Sequence, residues 1–514
     1  MGYLLGIDIG TSATKTILFD TETKKIKASA SSEYPLYQPY IGWAEQDPDD
    51  WWRATVSSIQ EVLKKGLIHP QDVLGIGLSG QMHGMVLLDK DGNVLRPAII
   101  WCDQRTEEEC KDITSIIGRE KLISITANPA LTNFTATKIL WVKRHQPEIF
   151  ERIHKVLLPK DFIRFKLTGE FASEVSDASG TQLLDVPNRT WSRYVLDKLD
   201  IPFDWMPKVY ESHEVSGCVT EKVANLTGLN VGTPVVGGAG DQAAGAVGNG
   251  IVESGMVSST IGTSGVVFAY TDKVSIDPKG RVHTFCHAMP DTWHVMGVTQ
   301  GAGLSLQWFR NNFGSLEKEL ATFLKKDPYE LMTEEAQKAD AGCNGLIYLP
   351  YLMGERTPHL DPSAKGVFFG ISAKHTRNDM IRSIMEGVAY SLRDCLEIIQ
   401  DMGTEVDIIR ASGGGARSSL WRQIQSDIFN RPLSTIDIGE GPALGVALLA
   451  GVGTGVYKDV PEACKAAINT KDTIYPIEYN TPIYDRYYEV YRSLYFALKD
   501  NYRAIADIEK DLKK

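Results

Sequence analysis

At 514 residues the chain is too long for one compact core, so two large domains are expected. Its composition is ordinary for a globular protein, and a formal net charge of −11 argues against general binding to nucleic acid or anionic membranes; an anionic ligand would need a local electropositive pocket. The N-terminus lacks the basic-then-apolar pattern of a signal peptide and no stretch reaches membrane-spanning length. Seven scattered cysteines without a C-x-x-C pair point to reduced thiols in a cytoplasm.

In chain order, residues 4–9 form an apolar run that reads as a buried strand, Gly10 ends it, and residues 16–19 begin a second run. The turn between them, Gly10-Thr11-Ser12-Ala13-Thr14-Lys15, offers backbone N–H groups, hydroxyls and an ammonium, which suits a phosphate chain. Asp8 would repel phosphate at contact distance and belongs there only with a cation or water between. An ordinary hairpin is the competing reading. A helical pattern follows at residues 51–65, with Asp47 as its cap and Pro48 at the first helical position. Residues 73–78 read as a strand ending in Ser79-Gly80-Gln81-Met82-His83-Gly84. In an α/β sheet such a strand end is where ligands bind, with Gln81 and His83 offering hydrogen bonds and Met82 an adaptable wall. A satisfied structural histidine is the alternative. Further on, Asp103 and Arg105 either contact a polyol or pair with each other, and residues 107–185 are mostly helical with no chemistry assigned.

The strand at residues 233–237 runs into Gly238-Ala239-Gly240-Asp241-Gln242-Ala243-Ala244-Gly245, where small residues around one carboxylate permit close approach of backbone and ligand. An N-cap aspartate is the bland alternative. The opening pattern then returns: residues 256–261, Gly262-Thr263-Ser264-Gly265 and residues 266–270 repeat the order strand, Gly-Thr-Ser, strand. The copies lie about half a chain apart and read as two facing hairpins opening the halves of a duplicated architecture. His283-Thr284-Phe285-Cys286-His287 is flanked by Pro278, Gly280 and Pro290, so strand and turn are expected there rather than a zinc site. Gly301 to Trp308 opens a helix with a small-residue face, and residues 350–359 form a loop containing Glu355 and Arg356. Ser412-Gly413-Gly414-Gly415-Ala416-Arg417-Ser418 joins a strand to a helix N-terminus and brings backbone N–H groups to an anion or nucleotide; it is neither a Walker A loop nor a dinucleotide fingerprint. Gly441-Pro442-Ala443-Leu444-Gly445 starts a helix suited to close packing between lobes, and the tyrosine-rich C-terminal pattern reads as a docked amphipathic helix.

Taken in order, segments 6–15, 80–84, 237–248, 262–265, 366–370 and 412–427 resemble the FGGY carbohydrate kinases, part of the larger group sharing the actin, hexokinase and heat-shock chaperone fold. The resemblance covers essentially the whole chain. Within the family, segments 80–84, 157–161 and 348–359 look like the branch that phosphorylates xylulose. The resemblance implies an α/β fold with two actin/hexokinase-like (ribonuclease H-like) domains, each a mixed five-stranded sheet with flanking helices, around a deep cleft: 1–249 for sugar and 250–514 for ATP. By motif match Asp241 is the expected general base, with Met82, His83, Asp241 and Gln242 contacting the sugar and Asp8 at the Mg2+ site. Thr11, Ser12 and Lys15 fall on the first phosphate turn, Gly262 and Thr263 on the second, and Gly303, Gln307, Gly414 and Ser418 match nucleotide contacts of related kinases. Two positions depart from the pattern: related glycerol kinases carry asparagine where Ser418 stands, and asparagine is more usual than Gln242 after the aspartate. The implied activity is ATP-dependent phosphorylation of D-xylulose in the cytoplasm, with sugar, ATP and Mg2+ as small-molecule partners, no nucleic acid or membrane, and a homodimer left open. The alternatives are a kinase of the same family acting on gluconate, ribulose or glycerol, and an actin- or chaperone-like ATPase, against which the Met82-His83 loop argues.

Overall fold

The structure is a computed structural model describing residues 2–437 and 439–512. Strand β1 (Tyr3–Ile9) is apolar and buried at every position but Asp8, and it pairs antiparallel with β2 (Ala13–Asp20), which pairs in turn with β3 (Lys25–Glu33). Helix α1 (Pro48–Gly66) starts where the sequence signals it: the Asp47 carboxylate accepts from the Asp49 N–H at 3.0 Å and Pro48 fills the first helical position. Strands β4 (Val73–Gly80) and β5 (Pro234–Val236) extend the sheet in parallel, giving the order β3-β2-β1-β4-β5. Helix α2 (Asp241–Gly248) then leads into the second half.

There the same topology recurs. β6 (Gly255–Ile261), β7 (Gly265–Thr271) and β8 (Trp293–Thr299) form the antiparallel part, and β9 (Val406–Gly413) and β10 (Leu433–Ile436) the parallel part, in the order β8-β7-β6-β9-β10. Helices α3 (Ala302–Phe313) and α4 (Arg377–Asp401) contribute to its core. The repeated Gly-Thr-Ser turns are thus equivalent β1–β2 and β6–β7 hairpins of one duplicated plan. Among the described residues each sheet has seven strands where five were expected. The additions are short pieces, Val215–Cys218 and Ala239–Gly240 in the first sheet, His283–Cys286 and Thr470–Ile474 in the second, whose length gives little periodicity to read.

Helix α5 (Gly441–Gly453) belongs to the second half in sequence but lies on the first sheet. A Cβ on Gly6 would stand 1.9 Å from the Ala443 carbonyl oxygen, and one on Gly445 1.9 Å from that of Ala244, so α5 touches β1 and α2 backbone to side-chain-free backbone. The C-terminal helix α6 (Thr481–Asp511) buries Tyr484, Tyr488, Tyr491 and Tyr495 against the second core, the docked helix expected from the aromatic pattern. Among the described residues no helix is long and apolar enough to cross a membrane.

Candidate active site

The ends of β1, β4 and the Ala239–Gly240 strand meet at one point. Asp8 lies opposite Lys15 across the hairpin and beside Ser79 on β4, while Gly80 pairs with Gly240, directly before Asp241. At the first turn the Gly10 N–H donates to the Ala13 carbonyl at 3.0 Å. Thr11 is held twice: its hydroxyl oxygen accepts from the Trp101 indole N–H at 3.0 Å and its carbonyl from Gln46 Nε2 at 2.7 Å. Ser12 is exposed at the tip, and the Lys15 ammonium is ion-paired with Glu440 just before α5. Burial raises the Asp8 carboxyl above its usual range, with Ser79 and Lys15 acting in the opposite sense; its Oδ1 is shut off from solvent and has no hydrogen-bond partner.

Asp241 is the first residue of α2, with Gly240 in the cap position, and its carboxylate is met by the backbone N–H and side chain of Gln242. It opens onto a cavity of about 510 Å³ that Gln242 also lines. Desolvation, followed by the nearby charge of Asp8, pushes its carboxyl up to about 7. Two like charges held this close favour a cation between them. Among the described residues no group of three or more His, Cys, Asp or Glu could hold a metal ion unaided. The unpartnered Asp8 Oδ1 is an oxygen donor of the kind a hard divalent cation completed by phosphate oxygens and water accepts.

On the other side of Asp241 stands the β4 loop. A Cβ on Gly240 would come 3.0 Å from Met82 Cγ, so the small residue lets Met82 close on the strand end that leads into Asp241. His83 adopts the left-handed conformation at φ +68°, and its carbonyl accepts from Lys138 Nζ at 2.8 Å and Thr135 Oγ1 at 3.1 Å. Burial pushes the imidazole down to about 3, hence neutral, and Nδ1 lies 2.6 Å from the Gly180 carbonyl oxygen. A carbonyl only accepts, so Nδ1 carries the proton and Nε2 is left as an acceptor. Gln81 turns to the scaffold instead, donating to Gln46 Oε1 at 2.8 Å. Asp103 and Arg105 prove to be a buried ion pair (2.7 Å), with the guanidinium over the Trp43 ring.

A second cavity, of about 630 Å³, is lined by Gly262, Thr263, Gly303, Gln307, Gly414 and Ser418, all six candidates from the second half. The Gly303 N–H donates to the Gly262 carbonyl at 2.9 Å, and a Cβ on Gly303 would stand 2.3 Å from that oxygen, so only glycine lets α3 sit on the second turn. Ser418 also has a structural duty: its hydroxyl accepts from the Trp421 N–H at 3.2 Å, capping the Ser419–Phe429 helix. Thr11, Ser12 and Lys15 are not part of this lining; they stand on the first hairpin. Tyr329, Thr333 and Trp421 complete the walls. The only local signal for Tyr329 and Thr333 is the Asp327-Pro328 helix start. The stretch 413–417 borders both cavities, so they are neighbours across one loop.

Against known proteins, residues 3–248 match the N-terminal domain and residues 257–454 the C-terminal domain of the FGGY family of carbohydrate kinases. The chain is 40% identical over 511 residues to the xylulose kinase of Bacillus subtilis (strain 168), covering 99% of this chain and 100% of that protein. It is 33% identical over 513 residues to the gluconokinase of the same strain, covering 99% of each. Among solved structures, the xylulose kinase from Rhodospirillum rubrum superposes with a TM-score of 0.89 at 31% identity, covering 98% of this chain and 100% of that one.

Proposed function

The chain belongs to the FGGY family of carbohydrate kinases, and from that premise we propose that it transfers the γ-phosphoryl group of ATP to the terminal hydroxyl of D-xylulose, giving ADP and D-xylulose 5-phosphate. The observation that carries the reading is Asp241: a carboxylate at the meeting of three strand ends, beside Met82 and facing a cavity next to that of the second Gly-Thr-Ser turn. The sugar binds chiefly to the half spanning 1–249, against Met82, His83 and Gln242, and the nucleotide chiefly to 250–514. The 630 Å³ cavity supports the second assignment.

A sugar hydroxyl is far too weak an acid to ionise unaided, so Asp241 accepts its proton as the new O–P bond forms. Phosphoryl transfer passes through a loose transition state, and the protein acts mainly by alignment and charge stabilisation. Backbone N–H groups of the two turns, with Thr11, Ser12 and Thr263, orient the phosphate chain, and Lys15 holds its ammonium beside the first turn, where phosphate competes with Glu440 for it. Asp8 would hold a magnesium ion, which would neutralise phosphate charge. Drawing the halves together excludes the water that would otherwise take the phosphoryl group. Seven free cysteines support a cytoplasmic location.

A coupled ADP-release assay across ketoses, polyols and aldonates tests the reading. D-xylulose is expected to give the highest kcat/KM by at least tenfold. A preference for gluconate overturns the substrate, and ATP hydrolysis without any phosphorylated sugar overturns the kinase.

A further inference from the structure

The second half sends one loop, residues 354–359, toward the sugar site, and that loop carries a cation, Arg356, whose guanidinium has no hydrogen-bond or ion-pair partner among the described residues. Both neighbours of the cation are pinned. The Glu355 carboxylate accepts from Thr299 Oγ1 at 2.6 Å, the Gln300 N–H at 2.9 Å, the Arg356 N–H at 2.7 Å and Ser391 Oγ at 3.2 Å. Thr357 donates its N–H to the Val298 carbonyl at 2.9 Å, accepts the Val298 N–H on its hydroxyl at 3.1 Å, and donates that hydroxyl to the Arg281 carbonyl at 2.8 Å. Arg356 is therefore fixed at the end of β8, while its half-buried guanidinium makes no hydrogen bond or ion pair among the described residues.

The surroundings locate that guanidinium. Val298 packs against a cluster formed by both halves, which includes Met82, Phe134, Phe285 and Met296. Opposite Met296 is His283, stacked on Phe285 at 5.6 Å, and His83 lies edge-on to Phe134 at 5.1 Å. The charge of Arg356 acts on both His83 and His283, whereas the charge acting on Asp241 is that of Asp8. The anchoring of Thr357 on Val298, beside the Met82–Phe134 cluster, thus places Arg356 on the His83 side of Asp241. With the reacting hydroxyl at Asp241, an open-chain ketose directs its C1 hydroxyl and C2 carbonyl to that end. His83 Nε2 can accept from the hydroxyl but has nothing to donate to the carbonyl, which needs a donor from elsewhere. A planar guanidinium with five N–H groups and no protein acceptor supplies one, and a ligand oxygen compensates the cost of its partial burial.

We propose that Arg356 is a specificity-determining residue of the sugar site, donating from the second half to the C2 carbonyl oxygen of a ketose whose C1 hydroxyl donates to His83. This rests on the assignment of Met82, His83 and Asp241 to the sugar. The same cation favours an aldonate, whose C1 carboxylate lies at the same end and takes a charge-assisted bond.

Steady-state kinetics of wild type, R356M and R356K test it, with D-xylulose as substrate and D-xylonate as competitive inhibitor. For R356M the KM for xylulose is expected to rise about tenfold and the inhibition constant of xylonate about a hundredfold, with the KM for ATP within twofold. R356K, which keeps the charge and loses the fork, is expected to raise the xylulose KM three- to tenfold and the xylonate constant by no more than that. It carries the comparison alone should R356M not fold. Xylulose and xylonate constants within twofold of wild type, or an ATP KM that rises as much as that of xylulose, overturn the proposal. A wild type that fails to phosphorylate xylulose at all overturns the function reading instead.

Discussion

The chemistry assigned to Asp241 depends on a carboxylate that meets only Gln242 and the charge of Asp8 and otherwise faces the cavity. Had its side chain capped α2, the helix would explain it; the cap position belongs to Gly240 and the carboxylate faces the cavity. Asp241→Asn keeps the size and hydrogen-bonding capacity of the residue while removing the proton acceptor. It is expected to lower kcat at least a thousandfold, with xylulose affinity by calorimetry within about threefold of wild type. Turnover within tenfold of wild type would remove Asp241 from the mechanism. His83 shows how far a single residue is legible in sequence. Its place in a loop at a strand's end marks it as a candidate ligand contact, but its neutrality, its tautomer and its left-handed backbone follow from Gly180, Lys138 and Thr135, which come from segments given no chemistry in the sequence. Arg356 lies further beyond reach, because its value is the absence of a partner, and absence is visible only once the neighbours are in position.

Among the elements, the edge strand His283–Cys286 forms where the sequence leads one to expect a strand. The flanking prolines and glycine predict strand and turn, and a strand with a following turn forms. Register with β8 sets Phe285 opposite His294, which stacks on Phe268 at 4.2 Å and stands 5.8 Å from His287. His283 Nδ1 meets Asn128 Oδ1 at 2.8 Å, tying the strand to the first half, and His287 Nε2 lies 3.1 Å from the Ile251 carbonyl oxygen. Both ring nitrogens of His294 are buried without a hydrogen bond among the described residues. Burial, helped by the charge of Arg356 on His283 and of Arg189 on His287, pushes these two imidazoles down to about 3; burial pushes His294 well below its ordinary value, with His287 and His283 adding to the effect. The folded pKa values lie below the unfolded value of about 6.5, so below that pH the unfolded chain takes up protons the folded one refuses, and stability falls as pH falls. At pH 5 each such histidine costs about 2 kcal/mol relative to pH 7.5. The onset of thermal unfolding is therefore expected to drop steeply between pH 6.5 and 5, and His294→Phe to flatten that drop while changing little at pH 7.5. Parallel curves for wild type and variant would show that these rings do not control acid stability.

At the scale of the whole molecule, the duplication was legible and the joint between the halves only in part. Two Gly-Thr-Ser turns flanked by apolar runs are local patterns, so the repeated hairpins could be read directly; the crossing of α5 back onto the first sheet is a long-range event that its small-residue face marks without naming the surface it meets. That surface is made by Gly6 and Gly77, whose added Cβ atoms would each stand 1.9 Å from a carbonyl oxygen of α5. Leu4, Ile17, Phe19 and Val236 of the first half share one core with Leu444, Val446 and Leu448 of the helix. A division of the chain after residue 249 therefore cuts through a core. The fragment 1–249 alone leaves those side chains uncovered, and an apolar face of that kind drives association rather than folding. It is expected to aggregate or bind a hydrophobic dye on expression, and to become soluble with a cooperative melt when 250–514 is co-expressed and supplies α5 in trans. A fragment 1–249 that is monomeric and melts cooperatively by itself would mean that α5 merely rests on a finished domain, and the two halves would then be free to part without exposing a core.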